Sequence, residues 1–145
     1  MRVLVAVKAT PQSESGVMPE DPTIFEEMGK FNDELIAAGL MVDGAGLKPS
    51  SNGKRLTFSG RKAAVTDGPF AETKELIAGY WVWNVKDMDE AVAWASRAPM
   101  QDGDTLEVRP YFEPEDFAGV VPDEMIEQEK GWREDQLTRA PKTPA

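Results

Sequence analysis

Asp67, Glu72, Lys74 and Glu75 fall within one nine-residue run, Asp67-Gly68-Pro69-Phe70-Ala71-Glu72-Thr73-Lys74-Glu75. A carboxylate held in a cleft can act as acid, base or anchor for a ligand. Two neighbouring carboxylates can divide the acid and base roles if their surroundings differ. Glu72 and Glu75 are three apart, so they share a helical face while Lys74 points elsewhere. They can also hold a divalent cation through waters. The run lacks the dense Asp/Asn spacing of a cation loop, and no metal site is expected. The plainer reading of these two acids is a solvated first helical turn, favoured by the helix dipole. Asp67 has a similar alternative, because an Asp before Gly often caps its own turn by accepting backbone N–H bonds. Gly68 and Pro69 fix the direction of that turn. Phe70 is an apolar plug, read as core before ligand contact.

The rest of the chain narrows the chemistry. It has no His and no Cys. The commonest general base, the usual switch near neutral pH and all thiolate chemistry are therefore excluded. Catalysis has to use Asp, Glu, Lys, Tyr or the backbone. Tyr80, Trp81, Trp83 and Trp94 can line an apolar pocket, although such residues more often mark a core or an interface. Arg109 can grip a carboxylate bidentately, or pair internally with Glu107 or Asp67, the reading favoured here. Phosphate loops, nucleophile elbows and dinucleotide fingerprints are absent, and no cofactor is expected.

The net charge is −10. Residues 1–112 hold 17 acids and 12 bases, and residues 113–145 hold 9 acids and 4 bases. An acidic surface of this kind disfavours nucleic acid and anionic membranes. No apolar run approaches the roughly 18 residues of a spanning helix. A strand pattern starts directly after Met1, which leaves no space for a signal peptide. The expectation is a cytoplasmic protein.

Several elements must position these residues. Residues 2–9 read as a strand buried on both faces. Residues 10–20 read as a loop. Asp21-Pro22 opens a helix, with a Thr23/Glu26 capping box as the alternative start. Ile24, Met28, Phe31 and Leu35 form its stripe, and Gly39 ends it as a left-handed cap. Residues 40–47 are a short strand. Residues 54–59 and 61–66 form a hairpin around Ser59-Gly60. Residues 78–85 are the strongest strand, with Trp81, Trp83 and Val85 on one face and Tyr80 and Val82 on the other. Asp87 or Asp89 caps a second helix with the stripe Met88, Ala91, Val92 and Ala95. Residues 104–111 are the last strand, with Leu106 and Val108 inward. Without the hairpin this order is the split βαβ repeat of a ferredoxin-like fold. Beyond residue 112 an acidic helix is expected over 123–136, lying on the surface or crossing to a partner, and residues 137–145 are expected to fray.

The string DGPFAETKE resembles the DGPF subgroup of the YCII-related family of small bacterial proteins. Met1-Arg2-Val3-Leu4-Val5, Gly44-Ala45-Gly46-Leu47, Gly79-Tyr80-Trp81 and Leu106-Glu107-Val108-Arg109-Pro110 are similar to the family in the same order. The resemblance spans residues 1–112, with 113–145 as an acidic extension. It implies a ferredoxin-like α+β domain that dimerises through its sheet, in the manner of dimeric α/β barrels. It implies Asp67 as the working carboxylate, in a small-molecule cleft near the DGPF turn. Gly68, Pro69, Phe70, Glu72, Lys74, Glu75, Tyr80 and Arg109 then stand near the ligand, which is read as a small organic acid. The wider group is discussed with a His–Asp pair, whose His this chain lacks. DGPF-type members are often encoded beside alternative sigma factors, which implies a second reading, a ligand-sensing or partner-binding module.

Overall fold

The computed structural model describes residues 1–139, except for the side chains of Leu137 and Arg139. Its strands are β1 (Arg2–Lys8), β2 (Met41–Gly46), β3 (Lys54–Ser59), β4 (Lys62–Asp67), β5 (Ile77–Asn84) and β6 (Leu106–Pro110). Its α-helices are α1 (Pro11–Ser15), α2 (Thr23–Ala37), α3 (Met88–Ala95) and α4 (Asp123–Arg139). Four strands form one sheet in the order β2-β5-β1-β6, every neighbouring pair antiparallel. β3 and β4 form a separate two-stranded ribbon. The architecture is mixed α+β, and its strand order is consistent with a ferredoxin-like arrangement. Among the described residues the sheet is open and forms no closed barrel.

Side-chain alternation decides which face of the sheet is core. Val3 and Val5 of β1 lie opposite Trp83 and Trp81 of β5. All four are buried, and they pack with Phe31 and Leu35 of α2 and Ala91 of α3. Fully burying a side chain such as Leu35 or Val5 contributes roughly 1.5–3 kcal/mol. Phe31 meets the Trp81 ring edge-on, with centroids 5.8 Å apart and planes at 77°. The Trp81 indole N–H donates to Asn32 Oδ1 at 2.8 Å. Trp83 Nε1 is buried with no hydrogen-bond partner among the described residues, which costs roughly 1–3 kcal/mol. The opposite face carries Leu4, Ala6, Tyr80, Val82, Glu107 and Arg109 by the same alternation. α4 reaches one end of it, where the Arg2 guanidinium donates to the Arg133 carbonyl at 3.2 Å.

Local structure departs from the sequence reading at several points. Residues 11–15 are helical, not loop, because Thr10 and Ser13 close a capping box around the first turn. Pro22 stands at the cap position of α2 without a side-chain bond. The Asp21 carboxylate takes the Thr23 N–H at 2.9 Å instead, and that bonding lowers its pKa, the Thr23 side chain contributing most. Gly39 does end α2 in the left-handed region, at φ 74°. Asp87 caps α3 by accepting from the Glu90 N–H. Val92, expected on the inner stripe of α3, is exposed, and Ala91 is the residue buried there. α4 runs to Arg139, past the expected end, and residues 140–145 of the expected frayed tail lie outside the described residues. Among the described residues no helix is long and apolar enough to cross a membrane.

Candidate functional site

The DGPF turn begins where β4 ends. Asp67 is the last residue of β4 and faces Lys54 across the ribbon. The Lys54 ammonium lies 2.5 Å from Asp67 Oδ1, with side chains 63% and 75% exposed. Antiparallel pairing puts Leu56 with Val65 and Phe58 with Ala63 on this same face. The other ribbon face turns toward the motif, where the Arg55 guanidinium covers the Phe70 ring at 4.0 Å.

Long-range bonds hold the turn itself. The Gly68–Pro69 peptide is cis. The Gly68 N–H donates to the Gly53 carbonyl at 3.0 Å. A Cβ on Gly68 would lie 1.8 Å from the Ser50 carbonyl oxygen, so only glycine fits this approach. The Phe70 N–H donates to Ser50 Oγ at 3.1 Å. The Ser50 hydroxyl donates to Glu14 Oε2 at 2.5 Å, and the Ser50 N–H donates to Glu14 Oε1 at 3.0 Å. A carboxylate on α1 thus anchors the 3-10 turn Ser50–Asn52, which in turn carries the DGPF backbone.

Sequence reasoning missed Glu14, Ser50 and Lys54 in these roles. The capping pair Thr10/Ser13 was the available signal for α1. Nothing in the local sequence pairs Glu14 with Ser50, 36 residues away.

The expected site residues do not all converge. Asp67 is bonded to Lys54, and no backbone N–H among the described residues caps it. Phe70 is half-buried beneath Arg55 and does not join the main core cluster. Glu72 precedes the 3-10 turn Thr73–Glu75, and Glu72, Lys74 and Glu75 are all exposed. Tyr80 lies on the sheet face away from α2 and α3, and its hydroxyl donates to Asp43 Oδ2 at 3.2 Å. That bond, followed by the charge of Asp43, raises the Tyr80 pKa. Arg109 lies on the same face, two strands away, beside Leu4. It is exposed and makes neither the Glu107 nor the Asp67 pair expected of it. An edge-strand arginine keeps its guanidinium in water without a partner at little cost. No hydrogen bond or ion pair among the described residues joins Asp67 to Tyr80 or Arg109. No cluster of three or more metal-ligating side chains occurs among them.

An open antiparallel sheet with two helices on one face, and a ribbon carrying a fixed turn, define a small α+β domain. A family model of the YCII-related domain matches residues 1–115, and the chain belongs to that family. It is also similar to the uncharacterized protein R00369 of Rhizobium meliloti (strain 1021), at 33% identity over 94 residues, covering 63% of this chain and 75% of the relative.

Proposed function

We propose that this protein is a homodimeric, ferredoxin-like YCII-related protein that takes a small organic acid beside the DGPF turn, where Asp67 transfers a proton. One observation carries the reading. An exposed carboxylate–ammonium pair sits at the root of an apolar ribbon face, directly before a turn held by Gly53, Ser50 and Glu14. An exposed pair of this kind contributes only about 0–1 kcal/mol. An incoming carboxylate can therefore take Lys54 from Asp67 at small cost. Lys54 then anchors the substrate anion, and the freed Asp67 accepts a proton from it. With no His or Cys in the chain, Asp67 is the proton acceptor best placed for that step.

The half-buried Leu4 and Tyr80, on the sheet face away from α2 and α3, are the surface for the dimer contact, beside Ala6 and Val82, which are already buried in the single chain. Residues 1–112 are the working domain and residues 113–145 an extension. The Cys-free chain suits a reducing cytoplasm. The acidic stretch beyond residue 112 favours a second reading, in which the domain senses a ligand and the extension contacts a regulatory partner linked to sigma-factor control.

The test has two readouts. Light scattering should report twice the 16.0 kDa chain mass. Small organic acids incubated with the protein in heavy water should gain deuterium at a carbon position, and Asp67→Asn should abolish the exchange. A ligand that binds without exchange would favour the sensing reading.

A further inference from the structure

One row of the outer sheet face ends in a carboxylate at one edge and a cation at the other. Pairing across the sheet aligns Asp43 with Val82, Val82 with Leu4, and Leu4 with Arg109. These side chains point away from α2 and α3, because their chain neighbours Trp81, Trp83, Val3, Val5 and Val108 point toward the core. Asp43 is placed on the same face by its bond from the Tyr80 hydroxyl. Asp43 and Arg109 stand on the two edge strands, β2 and β6. Three strand spacings, about 14 Å, separate them, too far to pair within one chain. Arg109 is exposed and makes no hydrogen bond or ion pair among the described residues. Asp43 is exposed too. It accepts from the Gly44 N–H at 2.8 Å and the Tyr80 hydroxyl at 3.2 Å, and among the described residues it meets no cation. A carboxylate offers about four acceptor sites, so room for a guanidinium remains.

We infer that Arg109 of one copy pairs with Asp43 of a second copy across facing sheets, twice, about a two-fold axis that runs along the strands between β1 and β5. The inference rests on the sheet-face dimer proposed above and fixes its geometry. Such an axis lays each β6 over the β2 of the other copy, and each β1 over its β5, at the same height. The row then faces itself reversed. Arg109 meets Asp43 at both ends, and Leu4 meets Val82 between them. One row along, Tyr80 meets Ala6, a large side chain over a small one, and Glu107 meets Ala45. One row the other way, Arg2 meets Asn84. No like charges oppose one another.

The other two-fold axis in the plane of the contact runs across the strands and lays each strand on its own copy. Set at the Leu4 row, it opposes Arg109 to Arg109 and Asp43 to Asp43. Set at the Ala6 row, it opposes Glu107 to Glu107. Set between the two rows, it opposes Arg2 to Lys8 in the middle of the face. Each setting brings like charges together, which costs affinity. Ala6 and Val82 are already buried in the single chain, so apolar burial selects neither axis and charge decides. Packed sheets cross by about 30°, which moves the ends of the row by about 4 Å, within the span of an arginine side chain. α4 meets this face at Arg2 and Tyr111, and both ends of the row stay exposed beyond it.

Charge reversal tests the pairing. Arg109→Asp and Asp43→Arg chains are prepared separately. Each alone sets two like-charge contacts against one another, and its dimer should dissociate at least tenfold more readily than wild type in a dilution series. In a mixed dimer of the two variants every reversed charge faces its opposite. Native mass spectrometry of an equal mixture should therefore show at least fivefold more mixed dimer than the two homodimers together. Arg109→Glu with Asp43→Lys repeats the test should circular dichroism show that one of the first variants fails to fold. A wild-type light-scattering mass of 16.0 kDa would overturn the dimer reading and this inference together. A wild-type dimer whose variants pair at random, or form no mixed dimer, would overturn this inference alone.

Discussion

Replacing Gly68 by Ala tests whether the DGPF turn is a docked structure or a free loop. The new Cβ would stand 1.8 Å from the Ser50 carbonyl oxygen and 2.7 Å from its carbon, both backbone atoms that cannot rotate away. The turn must lift. Lifting breaks the Gly68 N–H bond to Gly53 and the Phe70 N–H bond to Ser50, each contributing about 0.5–1.5 kcal/mol. It also separates Phe70 from Arg55, a contact of about 0.5–1 kcal/mol at an exposed site. The ribbon and turn lie outside the main core cluster, so the loss is limited to these contacts and totals about 1.5–4 kcal/mol. At roughly 2–4 °C per kcal/mol for a chain of this size, the melting temperature should fall by about 3–16 °C. Urea unfolding followed by tryptophan fluorescence measures the change, since Trp81 and Trp83 report the core. Gly131→Ala is the control. It lies in α4 with nothing within 4 Å of the new Cβ, and should stabilise the helix by up to about 1 kcal/mol. A Gly68→Ala loss below about 0.5 kcal/mol would refute the docking of the turn on Ser50.

Ser50→Ala removes the acceptor of the Phe70 N–H and the hydroxyl that donates to Glu14. It should cost about 1–3 kcal/mol in urea unfolding, and Glu14→Gln, which keeps an acceptor, should cost less. Tyr80 has a raised pKa because its hydroxyl donates to Asp43. Its contribution to stability is therefore full below pH 10 and lost as pH rises through the folded-state value. Asp43→Asn should shift the ultraviolet phenolate titration to lower pH and weaken that alkaline loss. Removal of residues 113–145 deletes no member of the main core cluster, whose most C-terminal member is Ala91, nor any of the residues packed against it, which end at Val108. The shortened chain should still melt cooperatively in calorimetry, and a broad transition would show that α4 is integral to the core.

Periodic segments could be read directly from the chain. Ile24, Met28, Phe31 and Leu35 announce α2, and Trp81, Trp83 and Val85 announce the inner face of β5. Their burial is a one-dimensional pattern, so sequence carries it. The hairpin was equally legible from its turn, although the structure centres that turn on Gly60 and Arg61, between the paired Ser59 and Lys62. α1 was not legible, because five residues with no buried side chain have no stripe, and only Thr10, Ser13 and the distant Ser50 mark it. The geometry of the candidate site was half legible. The DGPF string located the turn, and Gly68 has the steric reason expected of such a glycine. Its supports Glu14 and Ser50, and the Lys54 partner of Asp67, come from chain separations of 36 and 13 residues that no local rule encodes. The internal pairing of Arg109 with Glu107 or Asp67 does not form, because its strand β6 lies at the sheet edge and leaves the guanidinium exposed.

Calorimetric titration with small organic acids, run on wild type, Lys54→Met and Asp67→Asn, addresses the proposed site most directly. The exposed Lys54–Asp67 pair contributes little to stability, so both variants should unfold within about 1 kcal/mol of wild type. Any loss of binding is then local. At least one acid should bind the wild type, with affinity at least tenfold weaker in Lys54→Met and retained in Asp67→Asn. An acid that binds all three proteins equally, or a wild type that binds none of them, would contradict a ligand site at the Asp67–Lys54 pair.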